Sequence, residues 1–400
     1  MKSHGSKQSH ELQVSESTVL GENDAEGNPV QPKYQTAEYL RTVPHLRVRT
    51  PANALLLRLR SQVIASLTRF FAEEGFVQCH TPVITSSDCE GAGEVFTVSS
   101  NSSKVSDQPA KPAGEAKVEH FFRDPKYLTV SAQLHLEALA QAVDKVWTLS
   151  PTFRAEKSDT PRHLSEFYML EAEQCFITEP DQVMDLVENM LRSIATDLID
   201  TRVVRELLSL RQNRPSEDTD SQIDATTLEA RWQGLKAQHW PRITYDKAIE
   251  TLTQVHDQGT AHFEHPPSHD AGLAAEHERY LASTLGNGSP VFITDYPAVQ
   301  KPFYMSPSSR TTAACFDLLV PDLCELVGGS MRESRSAELQ GRMREKGVGG
   351  LDWYVDLRKY GSVSHGGFGM GFDRLMCYLS GIGNVRDVVA FPRWVGRCEC

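Results

Sequence analysis

The chain has 400 residues, of which 40% are hydrophobic and 24% are charged, as is usual for a globular protein. No apolar run reaches the length of about eighteen residues that a membrane-spanning helix needs, so we expect no membrane partner. The formal net charge of -12 argues against bulk electrostatic binding of nucleic acid and leaves open a local basic face.

The cysteines and the first residues indicate the compartment in which the protein works. Eight cysteines are scattered along the chain, and none forms a paired C-x-x-C set with zinc-binding spacing. This distribution favours a reducing compartment inside the cell. The residues up to Val19 contain no apolar core and no Arg, which is untypical of a secretory signal or a mitochondrial presequence.

Composition divides the chain into a polar N-terminal segment and one long folded region. Residues 1–38 are rich in Ser, Glu, Asn, Gly and Gln, so we expect that segment to be disordered. Residues 39–400 carry the apolar patterns of a folded domain. Two polar stretches within this region, 99–118 and 211–222, are predicted to be flexible insertions, and we expect no chemistry in the first.

The first strong helical pattern precedes a strand. Apolar residues recur at intervals of three and four from Leu56 to Phe70, and Gly75 ends the predicted helix. The stretch from Val77 to Ile84 is typical of a strand, and Pro82 interrupts it, which suits the edge or the end of a sheet.

Two further stretches place polar residues where they could contact a small ligand. A loop with two glycines, which let the backbone approach a ligand closely, carries Glu90. The stretch from Tyr127 to Val143 then predicts a strand that leads into a helix, with Ser131 as its N-cap. Gln133 and Glu137 lie four residues apart and therefore face the same side of this helix, which taken alone is a solvated face.

The most informative stretch is PTFRAEKSDTPRHLSEFYMLEAE, which runs from Pro151 to Glu173. Alternation from Phe153 to Lys157 and from Glu166 to Ala172 predicts two strands, with turn chemistry at residues 159–161 between them. We therefore expect a hairpin that gathers the charged and aromatic side chains of this stretch. These side chains are Arg154, Glu156, Arg162, His163, Phe167 and Glu171.

Such a group of side chains can bind an acidic, aromatic ligand. Arginine offers a bidentate fork to phosphate or carboxylate, and phenylalanine offers a stacking face to a base. The residues alone leave an alternative open, which is a surface hairpin held together by ion pairs.

A second predicted hairpin, later in the chain, carries candidates for a metal site. Asp317 and Glu325 lie on it, and a pair of carboxylates beside a triphosphate holds magnesium. Arg332 follows two glycines and can reach a small substrate from there. Taken alone, this stretch is a strand hairpin with an exposed salt bridge.

The last predicted strand has glycine at every second position. Because Gly367, Gly369 and Gly371 alternate, one face of the strand lacks side chains, and Arg374 lies in the first turn of the helix that follows. A G-x-G-x-G pattern by itself is weak evidence of function. The acidic residue and the βαβ context of a dinucleotide-binding fold are missing here.

In this order, these stretches resemble the three signature motifs of the class II aminoacyl-tRNA synthetases. The helix and strand that end at Thr81-Pro82 resemble motif 1, FRAEKSDTPRHLSEF resembles motif 2, and the glycine strand followed by Arg374 resembles motif 3. The wording of motif 2 and the segments QLHLE and EHE are similar to the asparaginyl enzymes, particularly the bacterial and mitochondrial type. The segment DVVAFPR resembles the ending of the asparaginyl and aspartyl enzymes. The resemblance implies an α+β fold, in which helices flank an antiparallel sheet, and a homodimer formed through motif 1.

The resemblance also implies a reaction and a set of site residues. It implies a ligase that activates asparagine with ATP and Mg²⁺ and transfers it to the acceptor end of tRNA. Arg154, which would bridge the α-phosphate and the substrate carboxylate, and Arg374 would be the catalytic residues. The implied ATP contacts are Arg154, Glu156, Arg162, His163, Phe167, Glu325 and Arg374. The implied amino-acid contacts are Glu90, Gln133, Glu137, Glu171 at the α-ammonium, Arg332 at the side-chain carbonyl, Gly367 and Gly369, and the implied metal ligands are Asp317 and Glu325.

One position favours asparagine over aspartate as the substrate. The aspartyl relatives carry a lysine three residues after the glutamine that matches Gln133, and here that position is Leu136. A buried aspartate side chain without a neighbouring cation would be costly, so the neutral amide is favoured. The same residue argues against a paralogue that makes asparagine from aspartate.

Two expectations concern the rest of the protein. The family carries an N-terminal OB-fold that reads the anticodon, and the residues before His45 are too few and too polar to form one. We therefore expect a chain without this domain, and a paralogue that uses another acceptor or acts only as a regulator remains an alternative. The type of enzyme resembled points to mitochondria, whereas the absence of a clear presequence allows the cytoplasm.

Overall fold

The structure, a computed structural model, describes residues 12–86, 94–100, 120–212 and 223–400. The helices of these residues, numbered in chain order, are α1 (Ala37–Arg41), α2 (Pro44–Arg47), α3 (Pro51–Glu73), α4 (Gln133–Val143), α5 (Pro180–Leu198), α6 (Arg202–Gln212), α7 (Ala225–Lys236), α8 (Tyr245–Asp257), α9 (Ala275–Leu285), α10 (Ser336–Glu345), α11 (Asp352–Lys359) and α12 (Phe372–Ser380).

Most of the described strands form one central sheet of eight strands. In spatial order they are β1 (Val77–Gln78), β5 (Lys145–Phe153), β6 (Glu166–Cys175), β11 (His365–Gly371), β10 (Cys324–Met331), β9 (Cys315–Val320), β8 (Val291–Thr294) and β7 (Arg242–Thr244). Neighbouring strands are antiparallel except for the two edge pairs, β1 with β5 and β7 with β8. A smaller antiparallel sheet has the order β2 (Ile84–Thr85), β4 (Lys126–Leu128), β3 (Thr97–Val98). This is the mostly antiparallel α+β architecture that the sequence predicts.

One face of the central sheet is apolar because side chains alternate along each strand. Leu170 and Ala172 of β6 point into the core, and so do Met370 and Phe368, the β11 residues that pair with them. Each of the four is at most 2% exposed, and burying a large apolar side chain contributes about 1.5–3 kcal/mol. Helices α3, α5, α7 and α12 cover this face and contribute to the same cluster.

The opposite face of the same two strands carries polar residues. Glu171 and Glu173 pair in register with Gly369 and Gly367, so the two carboxylates lie over a strip of backbone that has no side chains. A Cβ added at Gly367 would lie 2.1 Å from Oε2 of Glu173, which only glycine avoids. The structure therefore contains the bare strand face that the alternating glycines predict.

Replacing Gly367 with alanine is expected to lower the free energy of unfolding by about 1–3 kcal/mol, the usual cost of an extra carbon in a packed interior. The added Cβ would lie 2.2 Å from the carbonyl oxygen of Ala172, and this backbone atom cannot move aside as a side chain could. Urea denaturation measures the change. Gly341→Ala in α10 is the matched control, because its Cβ meets nothing within 4 Å, and it should gain up to about 1 kcal/mol. Equal stability of wild type and Gly367→Ala would contradict the packing described.

The predicted hairpin is present, since β5 and β6 pair antiparallel, but two predicted strands differ from the observed ones. The strand predicted from Val77 to Ile84 is wrong as a single element, because the chain passes from β1 in the central sheet to β2 in the smaller one. Pro82 lies between them and has no N–H to offer to a ladder. The strand predicted from Phe153 to Lys157 is also wrong. After β5 ends, the N–H of Ala155 donates to the carbonyl of Glu94 at 2.7 Å instead of to β6.

The polar segments fall partly on described residues. Helix α1 begins at Ala37, with Thr36 as its N-cap, inside the segment that was expected to be disordered. Helix α6 continues to Gln212, the second residue of the predicted insertion 211–222. Residues 1–11, 101–118 and 213–222 of the three polar segments lie outside the described residues. Among the described helices, none is long and apolar enough to cross a membrane.

Candidate active site

Two adjoining cavities lie on the glycine-lined face of the central sheet in the described part of the chain. The first, of about 160 Å³, is lined by Arg154, Arg162 and Arg374 among others, and we name it the arginine cavity. The second, of about 200 Å³, is lined by Glu171, Glu173 and Asp317 among others, and we name it the carboxylate cavity. Residues that line both are Arg154, Met169, Glu325 and Gly369. A ligand that fills both cavities would therefore pass Arg154.

All seven residues that were predicted to contact ATP line the arginine cavity. They are Arg154, Glu156, Arg162, His163, Phe167, Glu325 and Arg374. Arg154 follows the end of β5 directly, and Arg374 lies in the first turn of α12, so two distant parts of the chain supply the cations. The Arg154 guanidinium carbon lies 5.8 Å from the centre of the Phe167 ring. Nη1 of Arg374 donates to the carbonyl of Glu325 at 3.1 Å.

The electrostatics of the arginine cavity favour an anion. Burial lowers the pKa of His163, and the carboxylate of Glu156, 3.7 Å away, opposes that shift. Three guanidiniums, those of Arg374, Arg162 and Arg154, lower the pKa of His163 further because they repel its proton. Several cations that converge on one small space are a suitable site for phosphate groups.

Asp317 and Glu325 point to one place on the wall of the carboxylate cavity, and Glu325 also lines the arginine cavity. A Cβ added at Gly328 would lie 3.1 Å from Oε1 of Glu325 and 3.5 Å from Oδ1 of Asp317. Nζ of Lys301 lies 2.8 Å from the other oxygen of Asp317. Burial and the nearby charge of Asp317 both raise the pKa of Glu325, so a cation at this point would relieve repulsion between the two carboxylates. Two hard oxygen donors of this kind fit Mg²⁺.

The carboxylate of Glu171 is held at the edge of the carboxylate cavity. It accepts hydrogen bonds from the hydroxyl of Ser131 and, at 2.8 Å, from the backbone N–H of Ala132. The N-cap prediction of Ser131 is wrong by one residue, because Ala132 occupies the N-cap position and α4 begins at Gln133. Leu136 lines the same cavity, so the wall is apolar at the position where the aspartyl relatives carry lysine.

Arg332 is one of the cations that line the carboxylate cavity, and the protein fixes its orientation. Its Nη2 donates to Oε2 of Glu173 at 3.0 Å, its Nε lies 3.2 Å from Oε1 of the same carboxylate, and its Nη1 donates to the hydroxyl of Ser330 at 2.7 Å. A guanidinium has five N–H groups. These contacts use three of them, which leaves two for a ligand.

Two of the predicted amino-acid contacts do not line the carboxylate cavity, and a third is not among the described residues. Gln133, Glu171, Arg332 and Gly369 line the carboxylate cavity. Glu137 lies behind the cavity, fully buried, and its carboxylate is engaged by protein groups. Gly367 lies directly beneath the side chain of Glu173. Glu90 lies outside the described residues.

Several residues of the site escaped the sequence prediction. Glu173 could have been found, because a strand places it on the same face as Glu171, two residues earlier. Glu278 of α9 lies near the carboxylate pair, and burial together with the charges of Glu325 and Asp317 raises its pKa to about 7. Tyr304, whose ring centre lies 5.4 Å from the guanidinium carbon of Arg332, has no local sequence pattern that marks it.

Comparison with known proteins identifies the family of this chain. Residues 36–395 match the family described as tRNA synthetases class II (D, K and N). The mitochondrial asparagine–tRNA ligase of Saccharomyces cerevisiae is 43% identical over 97% of this chain and 78% of its own length. An asparagine–tRNA ligase of Nitratidesulfovibrio vulgaris (strain DP4) is 42% identical over 100% of this chain and 83% of its own length.

A solved structure shares the fold over most of the chain. The asparaginyl-tRNA synthetase of Pyrococcus horikoshii, complexed with asparaginyl-adenylate, superposes with a TM-score of 0.74 at 27% identity. The match covers 92% of this chain and 74% of the other. The chain therefore belongs to the asparagine–tRNA ligases, within the class II tRNA synthetases.

Proposed function

We propose that the protein activates asparagine with ATP, forming asparaginyl-adenylate and pyrophosphate, and then transfers the asparaginyl group to tRNA. The observation that carries this proposal is the meeting of the two cavities at Arg154. ATP fits the arginine cavity, which offers cations and an aromatic ring. Asparagine fits the carboxylate cavity, so its carboxylate would meet the α-phosphate beside Arg154.

In the first step, an oxygen of the asparagine carboxylate attacks the α-phosphorus of ATP, and the bond to pyrophosphate breaks with its electron pair. No general base is needed because the nucleophile is already an anion. Arg154 would stabilise the charge that builds up between the two reactants. The side chains around it would hold ATP in line, which supplies most of the remaining rate enhancement.

The other residues of the arginine cavity would bind the two ends of ATP. His163, Arg162 and Arg374 would hold the outer phosphates, because they converge on one small space. Phe167 would stack on the adenine ring, and Glu156 would accept a hydrogen bond from the adenine amino group. In the second step, the terminal ribose hydroxyl of tRNA attacks the asparaginyl carbonyl carbon and AMP leaves.

The carboxylate cavity would select the amino acid. The two remaining N–H groups of Arg332 would donate to the side-chain carbonyl of asparagine. Glu171 would accept from the α-ammonium group, which is the role that the family resemblance implies. Because Leu136 lines the cavity where the aspartyl relatives carry lysine, an aspartate side chain would lack that lysine.

Asp317 and Glu325 would hold Mg²⁺ through the two oxygens that converge near Gly328. The ion, when bound, would neutralise charge on the phosphates of ATP. Replacing Asp317 with asparagine should raise the Mg²⁺ concentration that gives half-maximal activity. An unchanged Mg²⁺ requirement would argue against this assignment.

We also propose a homodimer formed around α3 and β1. The edge strand β1 leaves Val77 46% exposed, and Leu57 of α3 is 45% exposed. Exposed apolar residues of the helix and strand that resemble motif 1 are surface that a second copy of the chain would cover. Light scattering should give twice the mass of the chain, and a monomer at micromolar concentration would refute the proposal.

We further propose that residues 39–400 constitute the catalytic domain and that the protein works in mitochondria, as the name of the yeast relative indicates for that enzyme. Fractionation of source cells, followed by detection of the protein with an antibody, tests the location. Recovery in the cytosolic fraction alone would refute it.

The test of the proposed reaction is ATP–pyrophosphate exchange in the presence of one amino acid at a time. We expect exchange with asparagine to exceed exchange with aspartate by at least about 100-fold, which corresponds to about 3 kcal/mol. Equal or faster exchange with aspartate would overturn the assignment. Charging of tRNA that carries the asparagine anticodon then tests the second step. Exchange without charging would show that the adenylate has another acceptor.

A further inference from the structure

A second layer of charged residues lies behind the carboxylate cavity. The fully buried Glu137 accepts hydrogen bonds from the hydroxyl of Tyr354, at 2.8 and 2.7 Å, and from Nη2 of Arg358 at 2.5 Å. Nε2 of His365 lies 3.1 Å from the same carboxylate, and Nε2 of Gln133 donates to it at 3.0 Å. We name Glu137, Tyr354, Arg358 and His365 the Glu137 cluster.

The Glu137 cluster adjoins Arg332. Oε1 of Glu137 lies 3.9 Å from Nε of Arg332, and Glu173 holds the same guanidinium from another side. Two buried carboxylates therefore compete for one arginine. Because Arg358 forms an ion pair with Glu137, Arg332 can pair with Glu173. Each of the two carboxylates, Glu137 and Glu173, is therefore paired with one arginine.

This division of charge determines where Arg332 points. With Glu173 and Ser330 holding three of its N–H groups, the other two are available to a ligand in the carboxylate cavity. If Glu137 lost its hydrogen bonds from α11, its charge would attract Arg332 strongly, because water does not screen charges in a buried site. The guanidinium would then turn away from the cavity.

We propose that Tyr354 and Arg358 are positioning residues which, by satisfying Glu137, keep Arg332 paired with Glu173 and aimed at the side-chain amide of asparagine. The inference rests on the proposed function for the identity of the substrate. It assigns α11, which lines neither cavity, a part in amino-acid binding.

The test is a pair of small substitutions with matched controls. Tyr354→Phe removes one hydroxyl and should raise the KM for asparagine about tenfold. A tenfold change corresponds to the free energy that one hydrogen bond to a charged group usually contributes. The KM for ATP should change by less than about twofold, because ATP contacts other residues. Tyr378→Phe is the control, since the Tyr378 hydroxyl is also buried and has no partner among the described residues. It should leave both constants unchanged.

Arg358→Lys keeps the charge but not the geometry, and it should raise the KM for asparagine by at least as much. Its control is Arg231→Lys, a buried arginine that pairs with Asp322 away from both cavities. A double-mutant cycle adds a readout that loss of stability does not produce. If Tyr354 acts through Glu137, the effect of Tyr354→Phe should largely disappear in a Glu137→Gln background.

Two outcomes separate failure of this inference from failure of the proposed function. If wild type exchanges with asparagine and Tyr354→Phe has an unchanged KM for asparagine, the inference is overturned and the proposed function stands. If wild type shows no exchange, calorimetry of asparagine binding in the presence of a non-hydrolysable ATP analogue replaces the kinetic readout. Equal affinity of wild type and Tyr354→Phe in that experiment would again overturn the inference, and tenfold weaker binding by the variant would support it.

Discussion

Replacing Arg154 with alanine should lower the rate of asparaginyl-adenylate formation by about 10²- to 10³-fold, the usual loss for one preorganised group that stabilises developing charge. Arg154 lines both cavities, so in the proposed complex it meets the α-phosphate and the carboxylate at once. Its side chain is 33% exposed, and its ion pair with Glu156 is long, at 3.9 Å. We therefore expect the stability of the protein to change little.

Single-turnover formation of the adenylate, with ATP and asparagine at saturating concentrations, measures this loss. Arg202→Ala is the matched control, because that side chain is 86% exposed and pairs with Glu206 on the surface of α6. It should leave the rate unchanged. An Arg154→Ala protein that forms the adenylate at a near-normal rate would show that the motif 2 hairpin is only structural.

Replacing Arg332 with methionine should affect both stability and activity. The substitution leaves Glu173 buried without its cation, and breaking a buried ion pair in this way costs about 3–5 kcal/mol. It also removes the two N–H groups proposed to bind the asparagine side chain. A site built to hydrogen-bond its substrate loses about 10⁴-fold or more in kcat/KM when such groups are left unpaired, so exchange should become very slow.

The stability of the Arg332→Met protein should also depend on pH in a definite direction. Burial raises the pKa of Glu173, and Arg332 is the main group that opposes this shift. Without Arg332 the pKa of the folded state rises further above that of the unfolded state. The folded protein then binds a proton that the unfolded protein releases, so the free energy of unfolding should fall as the pH rises above the ordinary pKa of a glutamate.

Urea denaturation at several pH values, compared with wild type, checks both effects. Arg231→Met is the control. It too removes a buried arginine, but its partner Asp322 has a side chain that is 62% exposed and can be hydrated. Arg231→Met should lower the free energy of unfolding by less than Arg332→Met does, and it should retain exchange activity. If Arg332→Met were as stable as wild type at pH 8, the proposed pairing of Glu173 with Arg332 would be refuted.

The motif residues could be predicted because each motif is local. Arg154, Glu156, Arg162, His163 and Phe167 lie within one hairpin, so their spacing in sequence largely determines their spacing in space. Strand alternation likewise predicted the bare glycine face. The same rule would have added Glu173, which lies over Gly367.

The strand boundaries were predicted less well, because competing partners lie elsewhere in the chain. Nothing in the stretch from Phe153 to Lys157 reveals that the N–H of Ala155 donates to Glu94. The stretch from Val77 to Ile84 likewise gives no sign that it contributes strands to two different sheets, although Pro82 marks the break between them. Local alternation indicates a strand but does not identify its partner.

The sequence by itself determined the family motifs, the apolar face of the sheet and the cations of the arginine cavity, because these depend on short-range periodicity and on residue type. Only the tertiary structure decided the place of Glu137. Its position on α4 suggests a solvated face next to Gln133, yet the side chain is fully buried. The arginine that compensates it, Arg358, lies 221 residues further along the chain. A buried charge is stable only with such a partner, and folding alone brings the two together.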